Sequence, residues 1–287
     1  MSLLPEEKWD IEITSKNKLF NLQLKDTWHY RDLLFLLVRR DFVSFYKQTI
    51  LGPVWFFVQP IITILIYNLV FFNLAKIKTD DIPAPLFYLA GTIIWNYFSE
   101  CLNKTSTVFK DNSAMLGKVY FPRLIMPLSI VLSNLIRFAV QFILFIVLMA
   151  VYWGRGFAIA PNAILLLFPL LILIIAALGL GLGMIVSAVT TKYRDLAFVV
   201  TFGVPLLMYT TTVIYPLSTA IAKYPSYSWM IKYNPVTAII ETFRYGFLGK
   251  GSFEWSLLGY SCGVTFIILL LGVIIFNKVE RTFVDTI

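Results

Sequence analysis

The run NAILLLFPLLILIIAALGLGLGMIVSA, residues 162–188, decides the class of fold. It holds no charged side chain. As a helix rising about 1.5 Å per residue it reaches ~40 Å, more than the ~30 Å hydrocarbon core of a bilayer. The rest of the chain has the same character. Of 287 residues, 59% are hydrophobic and 14% charged, and the mean hydropathy is +0.78. A soluble domain is roughly 45–50% apolar and about 25% charged. Too little polar surface remains to cover the apolar excess in water. That excludes an ordinary soluble enzyme, a disordered chain and a disulfide-stapled secreted module. It predicts an all-α integral membrane protein.

Working outward, hydropathy predicts six membrane helices, over 54–74, 85–108, 128–152, 162–188, 195–216 and 256–277. The second carries Glu100, Asn103 and Lys104 in its last third, and the fifth carries Pro205 and a threonine run. Proline inside such a helix is tolerated where neighbours re-satisfy the freed carbonyl. Residues 1–27 read as a polar cytoplasmic arm without the apolar stretch of a cleaved signal peptide. Residues 28–48 read as an amphipathic helix lying in the membrane interface, because their apolar run is too short to cross. Arg40, Ser44 and Lys47 share one of its faces, and Leu34, Leu37, Val38, Phe42 and Phe45 another. The apolar face is expected against acyl chains, with burial in a protein core as the alternative.

Between the last two spans, Asn234–Pro235 fits a helix N-cap followed by proline, and Gly249 ends the helix. Val236, Ile239, Ile240, Phe243 and Phe247 lie on one face, with Glu241 and Arg244 opposite. Residues 216–232 offer a second short helix, and both are expected to be re-entrant or interfacial. The net charge is +8. Fifteen of the 24 Lys and Arg fall in the N-terminal region, the loops 109–127 and 189–194, and the tail, against seven in the alternate loops. Basic residues stay inside, so both termini are expected in the cytoplasm.

No enzymatic motif stands out. His29 has no partner motif, no metal spacing is present, and Cys101 and Cys262 sit in apolar stretches. The pairs Gly117–Lys118 and Gly249–Lys250 precede Val119 and Gly251, where a phosphate-binding loop needs Ser or Thr. Gly179, Gly183 and Ser187 make a small-residue row suited to close helix packing, within or between subunits. Polar groups inside spans say more, since each costs energy in lipid. Asn96, Glu100, Asn103 and Thr107 share one helix face, and Asn134, Arg137 and Gln141 another. The two faces are expected to meet, with Glu100 near Arg137, and to line or brace a central pathway. The aromatic content of 16% leaves room for a ring-lined conduit. Trp55, Trp95 and Trp153 are expected in interfacial belts. The loop 110–123 is charged and amphipathic, suited to docking a soluble partner.

Several blocks in order, RRDFVSFYKQTILGPVWFFVQP (39–60), AGTIIWNYFSECLN (90–103), KVYFPRLIMPLSIVLSNLI (118–136), KYRDL (192–196), YNPVTAIIETFR (233–244) and FVDTI (283–287), resemble the type-2 ABC permeases that export bacterial surface polysaccharides. The resemblance covers 28–287. It implies a type-2 ABC transmembrane domain over 52–280 with a cytoplasmic tail at 281–287, an interface helix, six membrane helices and outer-side re-entrant helices. It also implies a homodimeric channel in the inner membrane, driven by two separate ATP-binding subunits that carry ATP and Mg, with no cofactor on this chain. The substrate so implied is a glycan on a polyprenyl-pyrophosphate lipid, as in O-antigen, capsule or teichoic-acid export. Arg39, Arg40 and Lys47 would meet its pyrophosphate. Lys110, Leu116, Lys118, Tyr120, Arg123, Lys192 and Arg194 would couple to the ATPase. Nucleic acid is not expected as a partner. A type-2 exporter of another lipid or a drug is the nearer alternative. A membrane glycosyl- or phosphotransferase is the alternative of another class, and it requires a carboxylate cluster for a divalent metal.

Overall fold

The computed structural model describes residues 24–47, 49–112, 115, 121–193 and 195–284. The arm over 1–23, the tail end over 285–287, and Leu116, Lys118, Tyr120 and Arg194 lie outside the described residues. Every regular element among those described is a helix. In chain order these are α1 (Leu24–His29), α2 (Arg31–Tyr46), α3 (Trp55–Tyr67, continuing as a π-helix to Leu74), α4 (Ala84–Ser106) and α5 (Val108–Asp111). They continue as α6 (Ile125–Gly154), α7 (Phe168–Lys192), α8 (Leu196–Leu207), α9 (Leu217–Lys223), α10 (Ser228–Lys232), α11 (Pro235–Leu248) and α12 (Trp255–Val284).

Four helical stretches among the described residues are long and apolar enough to cross a membrane: Gly52–Leu74, Ile125–Gly154, Ala163–Lys192 and Trp255–Val279. Together they make this a multi-pass membrane protein. Two of the six expected spans differ. α4 is long enough, but it carries polar groups because it is the central helix, with Leu86, Leu89, Ala90, Ile93 and Cys101 fully enclosed. α8 stops early, its last turn ending at Thr210, and Thr211 is extended. The expected span over 195–216 is therefore helical only as far as Thr210.

The early stop has a cause on α11. Its start follows its capping chemistry: the Asn234 side chain accepts from Val236 N at 3.0 Å. Gly249, at φ 70°, supplies the left-handed residue that closes the helix. Glu241 and Arg244 do not form a solvated face; both are buried. Arg244 Nη1 donates to Thr212 O at 2.5 Å and to Glu241 Oε1 at 3.2 Å. Its Nη2 donates to Phe87 O at 3.2 Å and Val213 O at 3.1 Å. The guanidinium stacks on the Phe87 ring at 3.6 Å. A buried charge needs this density of partners. The turn residues Thr212 and Val213 after α8 offer Arg244 carbonyls that a helix would have used internally.

The glycine row settles where α7 packs. A Cβ on Gly179 would lie 2.9 Å from Cys101 Cβ, and one on Gly183 2.5 Å from Thr105 Cβ. Ser187, on the same row, is buried. These glycines seat α7 on α4 of the same chain. Gly181 points the other way, onto Leu269 and Gly272 of α12. Phe138, Phe142 and Phe145 of α6, Phe168 of α7, and Phe243 and Phe247 of α11 stack on one another. They fill a core rather than line a conduit, and Trp95 is buried as well, while Trp55 and Trp153 are exposed.

α2 packs on α6. Leu37 is buried with Phe109, Phe121, Ile125, Met184 and Phe276 in a second core, and Val38 is buried too. The apolar face expected against acyl chains is thus partly spent on protein, while Phe35 and Leu36 are exposed.

Two outcomes test these packings by thermal unfolding in detergent. Glu241→Ala, which strips a buried guanidinium of its carboxylate, is expected to cost about 3–5 kcal/mol. Glu254→Ala, which breaks the exposed 3.3 Å pair with Lys232, is expected to cost about 0–1 kcal/mol; equal losses would contradict the clamp. Gly183→Leu is expected to lower the melting temperature through an overpacking cost of about 1–3 kcal/mol or more. Gly203→Leu, at a position with open space around it, leaves it within error.

Candidate functional site

The polar side chains of α4 and α6 collect on one flank of the bundle. Antiparallel neighbours at helical spacing bring their matching rows into register. Arg137 Nη1 lies 3.5 Å from Glu100 Oε2, and Lys104 Nζ lies 3.4 Å from the same oxygen. One turn further along, Asn96 Nδ2 faces Gln141 Oε1 at 3.5 Å. α3 supplies Gln59 and Phe56, and the Arg137 guanidinium sits over the Phe56 ring at 5.9 Å. These residues surround a narrow cavity of about 100 Å³, also lined by Asn134, Tyr97 and Phe138. Asn134 is buried and reaches towards Cys101 Sγ at 3.9 Å. Asn103 is half-buried and does not line the cavity.

A wider cavity of about 470 Å³ adjoins it at Arg137, which lines both. Its walls are Arg40, Asp41 and Ser44 of α2, Lys104, Asp111 and Asn112 near the end of α4, and Ile130, Ser133 and Arg137 of α6. Arg40 donates from Nε and Nη2 to a single Asp41 oxygen, Oδ1, at 2.9 and 2.8 Å. Ser44 Oγ donates to Arg40 O at 2.7 Å. Of the three basic residues expected on α2, only Arg40 reaches this cavity; Arg39 and Lys47 are exposed outside it. Ser133, Arg137 and Gln141 lie ~12, ~18 and ~24 Å along α6 from its start. The polar column therefore runs from one end of the bundle past the middle of a ~30 Å hydrocarbon layer.

Lys104, Gln59 and Ser133 belong to this column without having been singled out as site residues. Lys104 was legible: it follows Glu100 by one helical turn. Gln59 and Ser133 were not, because which helix stands opposite α4 and α6 is a tertiary fact.

At the end of the bundle where α2 lies, Thr190 Oγ1 donates to Ser106 O at 2.7 Å and holds the end of α7 against the start of the 107–112 stretch. This places Lys192 beside the segment that carries Lys110. Lys110 is exposed, Arg123 half-buried, and the Lys192 ammonium lies 5.2 Å from the Tyr193 ring. His29 is exposed at the end of α1. Among the described residues, no three His, Cys, Asp or Glu are grouped as a metal site.

The pairing across α4 and α6 has a direct test in a function-linked growth or export assay. Glu100→Arg is expected to abolish activity, since it sets a guanidinium against both Lys104 and Arg137. Adding Arg137→Glu is expected to restore activity only in part, because Lys104 still faces the new charge. No gain from the second change would break the proposed pairing.

The ABC-2 type transporter family pattern matches residues 32–248. The chain is 31% identical over 222 residues to an O-antigen export system permease protein RfbA of Myxococcus xanthus, covering 77% of this chain and 82% of that one. It is 27% identical over 256 residues to an O-antigen export system permease protein RfbA of Klebsiella pneumoniae, covering 88% and 94%. A polysialic acid transport protein KpsM of Escherichia coli is 24% identical over 234 residues, covering 80% and 87%.

Proposed function

This chain belongs to the ABC-2 type transporter family, and from that membership we propose that it is the permease subunit of an ATP-driven exporter of a polyprenyl-pyrophosphate-linked, O-antigen-like polysaccharide. The observation that carries the substrate class is the match to O-antigen export permeases over most of both chains. The half-exposed polar column on α4 and α6 supports it, because a hydrated glycan needs polar walls inside lipid. A second copy of this chain closes that flank into a channel.

In this reading α4 and α8 cross the bilayer as well, giving six spans with both termini in the cytoplasm of a bacterial inner membrane. α4, with 23 residues, is ~35 Å long. α8 with its last turn reaches ~22 Å, and the residues after Thr210 supply the remainder. α9 to α11 then form the re-entrant elements of the outer side. The ATP and Mg belong to two partner subunits, which dock at the face carrying Lys110, Arg123 and Lys192, together with Leu116, Lys118, Tyr120 and Arg194 of the adjoining loops. Arg39 and Arg40 on α2, with Lys47 just past its end, draw the diphosphate from the inner leaflet by charge-assisted hydrogen bonds. The chain itself catalyses no step.

The test is export in a cell lacking this permease, followed by surface-glycan blotting. The wild-type chain with its ATPase partner restores long glycan at the surface. Arg39→Ala/Arg40→Ala/Lys47→Ala is expected to reduce it about tenfold or more, given ~1.5–3 kcal/mol for each charged hydrogen bond. Undiminished export in that variant removes the role given to α2.

A further inference from the structure

The wider cavity differs from the α2 surface in where its cations stand. Arg40 is tied to Asp41 at 2.8 Å, a tight charge-assisted pair. Asp111 accepts from Thr107 Oγ1 at 2.6 Å. Deeper in, Lys104 and Arg137 both reach the same oxygen of Glu100, at 3.4 and 3.5 Å. Those distances exceed the ~2.7–2.9 Å of a tight ammonium or guanidinium pair with a carboxylate. Side-chain exposure is 46% at Glu100, 40% at Lys104 and 15% at Arg137. Glu100 is thus a loosely held anion shared by two cations that come from different helices. It also faces the narrower cavity, where the amides of Gln59, Asn96 and Gln141 stand. A carboxylate leaving the cations has hydrogen-bond donors waiting there.

We propose that Lys104 and Arg137 form a second, deeper subsite for a diphosphate anion, and that Glu100 occupies it until the diphosphate displaces it. This rests on the diphosphate-lipid reading above and assigns it a site that α2 alone does not provide. A diphosphate offers several oxygens to a planar guanidinium and a point ammonium, where Glu100 offers one. The 470 Å³ cavity falls within the ~300–1,000 Å³ of ordinary ligand sites. As the diphosphate settles, like charge drives the Glu100 carboxylate towards Gln59, Asn96 and Gln141. The anion thereby alters the part of the column that lies ahead of it, and Glu100 returns when the anion leaves. Coulomb attraction brings the ligand in, and an internal competitor keeps it from binding too tightly to leave.

The experiment uses the full chain in neutral phosphatidylcholine nanodiscs and measures inorganic pyrophosphate binding by calorimetry. Lys104→Gln is expected to weaken binding about tenfold, and Glu100→Gln, by removing the competitor, to tighten it about threefold or more. Lys104→Arg, which keeps the charge, stays within about twofold, and it carries the comparison if the glutamine variant unfolds. If Glu100 instead only holds the two cations in place, both glutamine variants weaken binding together. That result, or unchanged affinity in both, overturns the proposal. Undecaprenyl pyrophosphate in the disc is expected to compete with inorganic pyrophosphate, and phosphatidylglycerol is not. Competition by phosphatidylglycerol alone assigns the cations to bulk anionic lipid and also overturns it. Loss of the subsite with surface glycan intact refutes this inference and leaves the exporter standing; absent glycan with pyrophosphate binding as expected refutes the exporter and leaves the subsite.

Discussion

The guanidinium of Arg244 constrains more of this structure than any other single group. A charge enclosed by protein must be met by several acceptors or it unfolds its surroundings. Here three carbonyls, one carboxylate and one aromatic face meet it. Each acceptor dictates something about the chain. The carbonyls of Thr212 and Val213 are available only because α8 has ended. The carbonyl of Phe87 ties α11 to the central helix, and Gly91 is required beside it, since a Cβ there would lie 2.7 Å from Nη2. Glu241 in turn accepts from Ser252 N at 3.2 Å, which anchors the start of the final helix. One ion pair therefore joins the end of α8, the short helix α11 and the central helix α4.

That clamp gathers one end of the bundle, while glycine contacts gather the long helices. Gly179 and Gly183 let α7 lie directly on α4, and Gly181 lets α12 lie on the opposite side of α7. α4 is held by α7, α11 and α6, and its remaining flank, which carries Asn96, Glu100 and Lys104, faces the cavities beside α6. The same arrangement explains why α4 is the least apolar of the long helices. It meets protein on most sides and a polar column on the rest, so lipid imposes little on its composition. One face of this helix is thus rigid by packing, and the other is polar and loosely paired.

The helical spans were legible because bilayer thickness converts directly into a run of apolar residues, as at 162–188 and in α12. The caps of α11 were legible too, since Asn234, Pro235 and Gly249 act through local backbone chemistry. The polar rows of α4 and α6 follow from helical period alone, and with them the notion that Glu100 and Arg137 come together. The burial of Glu241 and Arg244 was not legible: a charged pair spaced at i, i+3 reads as a solvated face unless its acceptors are known. Nor was the fate of Leu37 and Val38, because acyl chains and a protein core are equally apolar partners for a helix face.

By itself the sequence determined that this chain lives in lipid, where α11 begins and ends, and which polar groups share a face. Those are consequences of local period, solvent thickness and capping chemistry. Only the tertiary structure decided that the glycine row packs within one chain, that α8 stops at Thr210, and that Lys104 joins Arg137 around one carboxylate. Each depends on which distant helix stands opposite, and helices of equal hydropathy carry no mark of their neighbours.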